Sequence, residues 1–66
     1  MSNGSEIRLY QQNLREERNS KALYESMAAA EANPAVAEIY RRLAETEGKH
    51  AAVWEKKLTE AGAAVP

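Results

Sequence analysis

The amino-acid sequence predicts an all-α protein, an antiparallel helical hairpin that dimerises into a four-helix bundle. Three observations predict it. Strong helix formers (Ala, Glu, Lys, Arg, Leu) dominate, phenylalanine is absent and β-branched residues are few. A single internal breaker, Asn33-Pro34, divides the chain into two nearly equal halves. Each half carries apolar residues at helical spacing.

The elements follow in order. Ser5 to Ala32 reads as helix 1. Asn33-Pro34 ends it, because the residue before a proline disfavours helical geometry. The same pair starts helix 2, since Asn is a favoured N-cap and Pro a favoured first helical residue. Helix 2 runs from Pro34 to Ala61 and stops at Gly62. Each helix is then roughly 40 Å long at ~1.5 Å per residue. The connection is too short for anything but an antiparallel return, and residues 1–66 form one domain. Helix 2 has a stripe of Val36, Ile39, Tyr40, Leu43, Ala51, Trp54, Leu58 and Ala61. Helix 1 has Ile7, Tyr10, Leu14, Tyr24 and Ala28, flanked by Leu23 and Met27. Two such helices cannot cover both stripes, and four can.

Composition narrows the function. At 66 residues the chain buries little apolar surface and needs a tie. It has no cysteine, so disulfides and thiolate metal sites are excluded. Metal binding or self-association remains. A formal net charge of −1 gives no electrostatic case for nucleic acid or an anionic membrane surface. No apolar run approaches a membrane span, and Met1 to Ser5 lacks the apolar core of a signal peptide. The expected compartment is the cytoplasm. The end, Ala61-Gly62-Ala63-Ala64-Val65-Pro66, reads like a linker cut short.

Three polar residues interrupt the stripes. Glu47 lies four residues after Leu43 and seven before Trp54, on one face at ~100° per residue. His50 follows one turn on. Glu17 lies seven residues after Tyr10 and seven before Tyr24. Charged groups rarely sit in a core unpaired. The plainer explanation is an ion pair of Glu17 or Glu47 with Lys21, or a hydrogen-bonded His50. Yet Glu17 lies about as far before the turn as Glu47 lies after it, so the two helices bring them to one level. A two-fold dimer would gather two Glu17, two Glu47 and two His50. That is the ligand set of a diiron bundle, with one Glu from each of two helices and Glu-x-x-His from each of the others. Four carboxylates balance two ferrous ions. Oxygen and nitrogen donors suit iron or manganese and also accept zinc.

These stretches resemble a known family. Glu17-Arg-Asn-Ser-Lys-Ala-Leu-Tyr24 is similar to the first-helix ligand motif of the rubrerythrin and ferritin-like superfamily. Ile39-Tyr-Arg-Arg-Leu-Ala-Glu-Thr-Glu47-Gly-Lys-His50-Ala is similar to its second-helix motif. The resemblance runs from about Leu14 to Leu58. It extends to two-helix relatives, the encapsulated ferritins and the ferritin-like domain ahead of the membrane part of vacuolar-iron-transporter-type proteins. Asn13 to Arg18 and His50-Ala-Ala-Val-Trp54 look more like the second group. The resemblance implies two iron ions per dimer, held by Glu17, Glu47 and His50. It implies oxidation of Fe(II) to Fe(III) at the dimer interface, and an encapsulating shell or a membrane transporter domain as partner. This chain departs from the usual pattern in having two helices where rubrerythrins and ferritins have four. It also lacks rubredoxin-type cysteines and a convincing encapsulation peptide.

Around the ligands, Tyr24 and Tyr40 are candidates to hydrogen-bond a ligand carboxylate, though packing alone explains both. Glu16 points about 100° from Glu17 and reads as solvated or as part of an entry site. Glu31 reads as structural or as an accessory ligand. Two other functions compete with iron oxidation. One is a structural dimerisation hairpin without catalysis, and the other holds iron for delivery without turnover.

Overall fold

The computed structural model describes residues 3–66. Two helices account for most of them: α1, Gly4–Ala30, and α2, Pro34–Glu60. They pack antiparallel into a rod whose Cα atoms span 47 × 13 × 13 Å. The expected all-α antiparallel hairpin is therefore present, and the expected helix ends hold to within two residues. Helix 1 ends at Ala30 rather than Ala32. Glu31 already has extended backbone at ψ 122°, and its carboxylate accepts the Asn33 N–H at 3.1 Å.

The caps explain the boundaries. Asn3 accepts the Glu6 N–H at 2.9 Å, and Asn33 accepts the Ala35 and Val36 N–H groups at 3.0 and 3.4 Å. Both satisfy first-turn donors that have no partner within the helix. At the far end Gly62 takes φ +69°, which an L side chain adopts reluctantly. The Gly62 N–H then bonds to Thr59 O, and the Ala63 N–H to Leu58 O, both at 3.0 Å. That is a Schellman stop, and Ala63 adds its apolar contact by packing on the core that contains Leu58. The chain then doubles back along α1. Gln11 Nε2 donates to Ala64 O at 3.0 Å, and Arg18 donates to the Pro66 carbonyl.

The seam between the helices is narrow. Leu14 and Leu58 are fully buried, and the other buried side chains are alanines: Ala28, Ala37, Ala44 and Ala51. In α2 the buried residues recur every seven positions, at 37, 44, 51 and 58, the spacing of a coiled-coil seam. Alanine at most of these positions lets the helices approach closely. It also shifts the seam away from the stripe expected from the larger side chains. Ile39 is 57% exposed, Leu23 59% and Leu43 38%. The chain exposes 4654 Å² in all, against roughly 4,200 Å² for a compact monomer of its mass. No helix among the described residues is long and apolar enough to cross a membrane.

The two helices repeat each other at a constant offset. Asn33, Pro34 and Glu60 follow Asn3, Gly4 and Ala30 by thirty residues each. Tyr10, Glu17 and Tyr24 match Tyr40, Glu47 and Trp54 at the same offset. Each helix therefore presents aromatic, carboxylate, aromatic at seven-residue spacing. Antiparallel packing turns this into three rungs. Tyr10 stacks on Trp54 with centroids 5.7 Å apart, and Tyr24 on Tyr40 at 6.5 Å. The carboxylate rung lies between them.

Candidate metal centre

On the middle rung, Glu17 of α1 meets Glu47 and His50 of α2. One ligand atom from each lies within 4.8 Å of the other two. His50 Nδ1 stands 3.5 Å from Glu17 Oε2. That separation is long for a hydrogen bond. Two donors held ~2.0–2.2 Å from one ion stand roughly 3–4 Å apart across a polyhedral edge or diameter. The triad thus needs only a small contraction to surround a cation, and its oxygen and nitrogen donors fit iron, manganese or zinc.

Burial sets the electrostatics. Glu17 and Glu47 are half-buried, while His50 is exposed. The Glu47 carboxyl is held above the ordinary carboxylate value. The main cause is the Glu17 carboxyl, with which protonated Glu47 shares a hydrogen bond. Desolvation and repulsion from the Glu17 charge add to it, and His50 opposes it. Two carboxylates this close repel when both are ionised, and a cation between them removes the repulsion.

The site opens to one side, in a cleft lined by Glu17, His50, Val53 and Trp54. Sequence reasoning did not single out Val53, whose role rests only on its place one turn past His50. The three expected ligands converge. The residues expected around them do not join them. Tyr24 and Tyr40 stack on each other one rung away, and among the described residues neither hydroxyl hydrogen-bonds Glu17 or Glu47. Glu16 takes a hydrogen bond from Gln12 Nε2 at 3.1 Å on the solvent side. Glu31 is engaged in the turn.

The plainer explanation named Lys21 as ion-pair partner for one of the glutamates. Lys21 pairs instead with Glu25, 3.5 Å away. Among the described residues, no lysine or arginine lies within ion-pair reach of Glu17 or Glu47. The nitrogen facing Glu17 is that of His50.

Beyond the triad, the side of the hairpin that carries His50 is rich in exposed apolar residues, with Glu16 and Lys57 set among them. At ~100° per residue, Leu43, Ile39 and Val53 lie within about 80° of one another on α2, with His50 among them. Leu9, Leu23 and Met27 lie at the matching offset from Glu17 on α1. Leu9, Leu23, Ile39 and Val53 are each at least half exposed. A search of family models, of curated proteins and of solved structures finds no match to this chain.

Proposed function

We propose that this chain is half of a diiron-carboxylate centre, which a second copy completes, and that it binds Fe(II) as the substrate of a ferroxidase. The observation that carries this reading is the convergence of Glu17, Glu47 and His50 on one rung, with donor atoms within 4.8 Å. Three donors leave an ion undersaturated, and a two-fold copy doubles the set to four carboxylates and two imidazoles. The exposed apolar side supports the same assembly, because it surrounds the open side of the triad. Such a patch on so small a protein marks an interaction surface.

The chain's own residues have separable tasks. Glu17 and Glu47 supply charge to offset that of the bound ions. His50 supplies a neutral donor from the exposed edge. The aromatic rungs above and below restrict water to the open side. Iron supplies the redox chemistry: each Fe(II) gives one electron to dioxygen or peroxide and leaves as Fe(III). Delivery of iron without turnover uses the same ligands and differs only in whether oxygen is consumed.

Size-exclusion chromatography with and without Fe(II) under argon, followed by metal analysis, tests the reading. The expected result is a dimer carrying two ions, lost in Glu47→Ala. A dimer that holds no metal and is unchanged by Glu47→Ala would show a structural dimerisation hairpin instead. Oxygen consumption on adding Fe(II) then separates oxidation from delivery.

A further inference from the structure

Lys21 occupies an odd position. It lies four residues after Glu17 and four before Glu25, so its ammonium can reach either carboxylate on the helix surface. A glutamate four residues N-terminal to a lysine makes the better pair, and the reverse order is weaker. Lys21 nevertheless takes the weaker partner, Glu25, at 3.5 Å. The reason is visible across the seam, where Glu17 is turned toward His50 and Glu47. The resting place of the lysine is itself prepared. A Cβ at Gly48 would stand 3.3 Å from Lys21 Cε and 3.5 Å from Cδ, so the glycine leaves the lysine stem a track across α2. Gly48 follows Glu47 directly, in mid-helix, where glycine costs about 1 kcal/mol relative to alanine.

We infer that Lys21 is a two-position counter-cation for the carboxylate rung. It pairs with Glu17 when Glu17 is free, and it parks on Glu25, along the Gly48 track, when Glu17 turns inward as a ligand. Lysine and bound cation therefore compete for one carboxylate. Lys21 is a positioning residue and touches no ion. This inference rests on the reading of the triad as a cation site.

The test uses the full chain and Co(II), an air-stable spectroscopic probe of oxygen and nitrogen sites. Removing the competitor with Lys21→Met should tighten Co(II) binding by up to about twofold at low salt, and the gain should shrink in ~0.5 M salt. Removing the parking place with Glu25→Gln should weaken binding by a similar factor. In the Lys21→Met background Glu25→Gln should have no further effect. Unchanged affinity in Lys21→Met, or a Glu25→Gln effect that persists without the lysine, overturns the inference. A second measurement needs no metal. In metal-free protein at low salt, Lys21→Met should lower the melting temperature, and Glu17→Gln should reduce that effect to what the Lys21–Glu25 pair alone contributes. Equal effects in both backgrounds refute the lysine switch. Failure of the wild type to bind Co(II) or Fe(II) refutes the cation site itself, and the metal-free coupling then still decides whether Lys21 answers to Glu17.

Discussion

The two long sides of this hairpin are built on different physics. One carries His50, the open cleft and the exposed Leu9, Leu23, Ile39 and Val53. The other carries ion pairs: Arg18 with Glu55 at 3.2 Å, Lys21 with Glu25, and Glu38 with Arg41 at 3.0 Å. The returning tail also lies there, bonded to Gln11 and Arg18. A lone hairpin has no need of this asymmetry, since both sides flank the same alanine seam. A charged side is at home in water. A side rich in exposed apolar residues around a candidate metal triad suits a second protein surface, as the proposed dimer would supply. On the proposed reading, assembly and chemistry share the first side and the ion pairs face water on the second.

The sharpest way to break the comparison is to charge the apolar side. Ile39 is more than half exposed in the single chain, so Ile39→Glu leaves the hairpin seam intact. In a dimer it would bury a charge without a partner, which association tolerates poorly. Expected is a loss of at least tenfold in dimer affinity by analytical ultracentrifugation, with unchanged helicity. On the proposed reading cation binding should weaken with it, because one chain alone would hold half the donors. Glu38→Gln on the opposite side should change neither.

A smaller effect tests whether the other side is free of function apart from the lysine track. Gly48→Ala replaces a mid-helix glycine, and the nearest obstacle is the flexible end of Lys21. The helix should gain up to about 1 kcal/mol. In a domain this small that raises the melting temperature by roughly 4–8 °C. A fall in melting temperature would mean that the Lys21 stem cannot yield.

The carboxylate rung gives a change of opposite signs in two assays. Glu47→Gln removes the repulsion between the glutamates. Metal-free protein should therefore melt higher at pH 7, while cation binding is lost. The pH dependence follows from the raised Glu47 carboxyl. Its stabilising contribution is fully present below the ordinary value of 4.5 and is lost as pH rises through the higher folded value. Between pH 4.5 and 7 the metal-free wild type should thus lose stability that Glu47→Gln keeps. Thermal melts across that range in chelator check it.

Much of this was legible in the sequence, for identifiable reasons. Asn33-Pro34 states a turn in local chemistry, and the caps need no tertiary information. Glu17, Glu47 and His50 were legible because antiparallel register follows from counting away from that turn. The seam was not. Periodicity weights large side chains, so Ile39 and Leu43 read as core. Close helix approach selects small ones, so Ala37 and Ala44 are buried in their place. Tyr24 and Tyr40 illustrate the same limit. Their spacing shows that they share a face with the ligands, but only the structure shows that their rings turn to each other. The Lys21 track needed both helices, and its only trace in the sequence is a glycine where a helix disfavours one.

The smallest effect belongs to Glu38, and its sign completes the contrast between the sides. Hydrogen bonds from Arg41 at 3.0 Å and Arg42 at 3.3 Å hold its carboxyl below the ordinary value of 4.5. Its stabilising contribution is present above 4.5 and is lost as pH falls through the lower folded value. That is the reverse of Glu47. The pairs are exposed, so the effect is small and salt should screen it. Glu38→Gln should lower the melting temperature slightly and evenly above pH 4.5, without changing the slope there, and should flatten the fall below pH 4.5. Glu47→Gln should do the opposite. If Glu38→Gln altered the slope between pH 4.5 and 7, where Glu47 titrates, the charged side would be coupled to the carboxylate rung, and the two sides would not be separable.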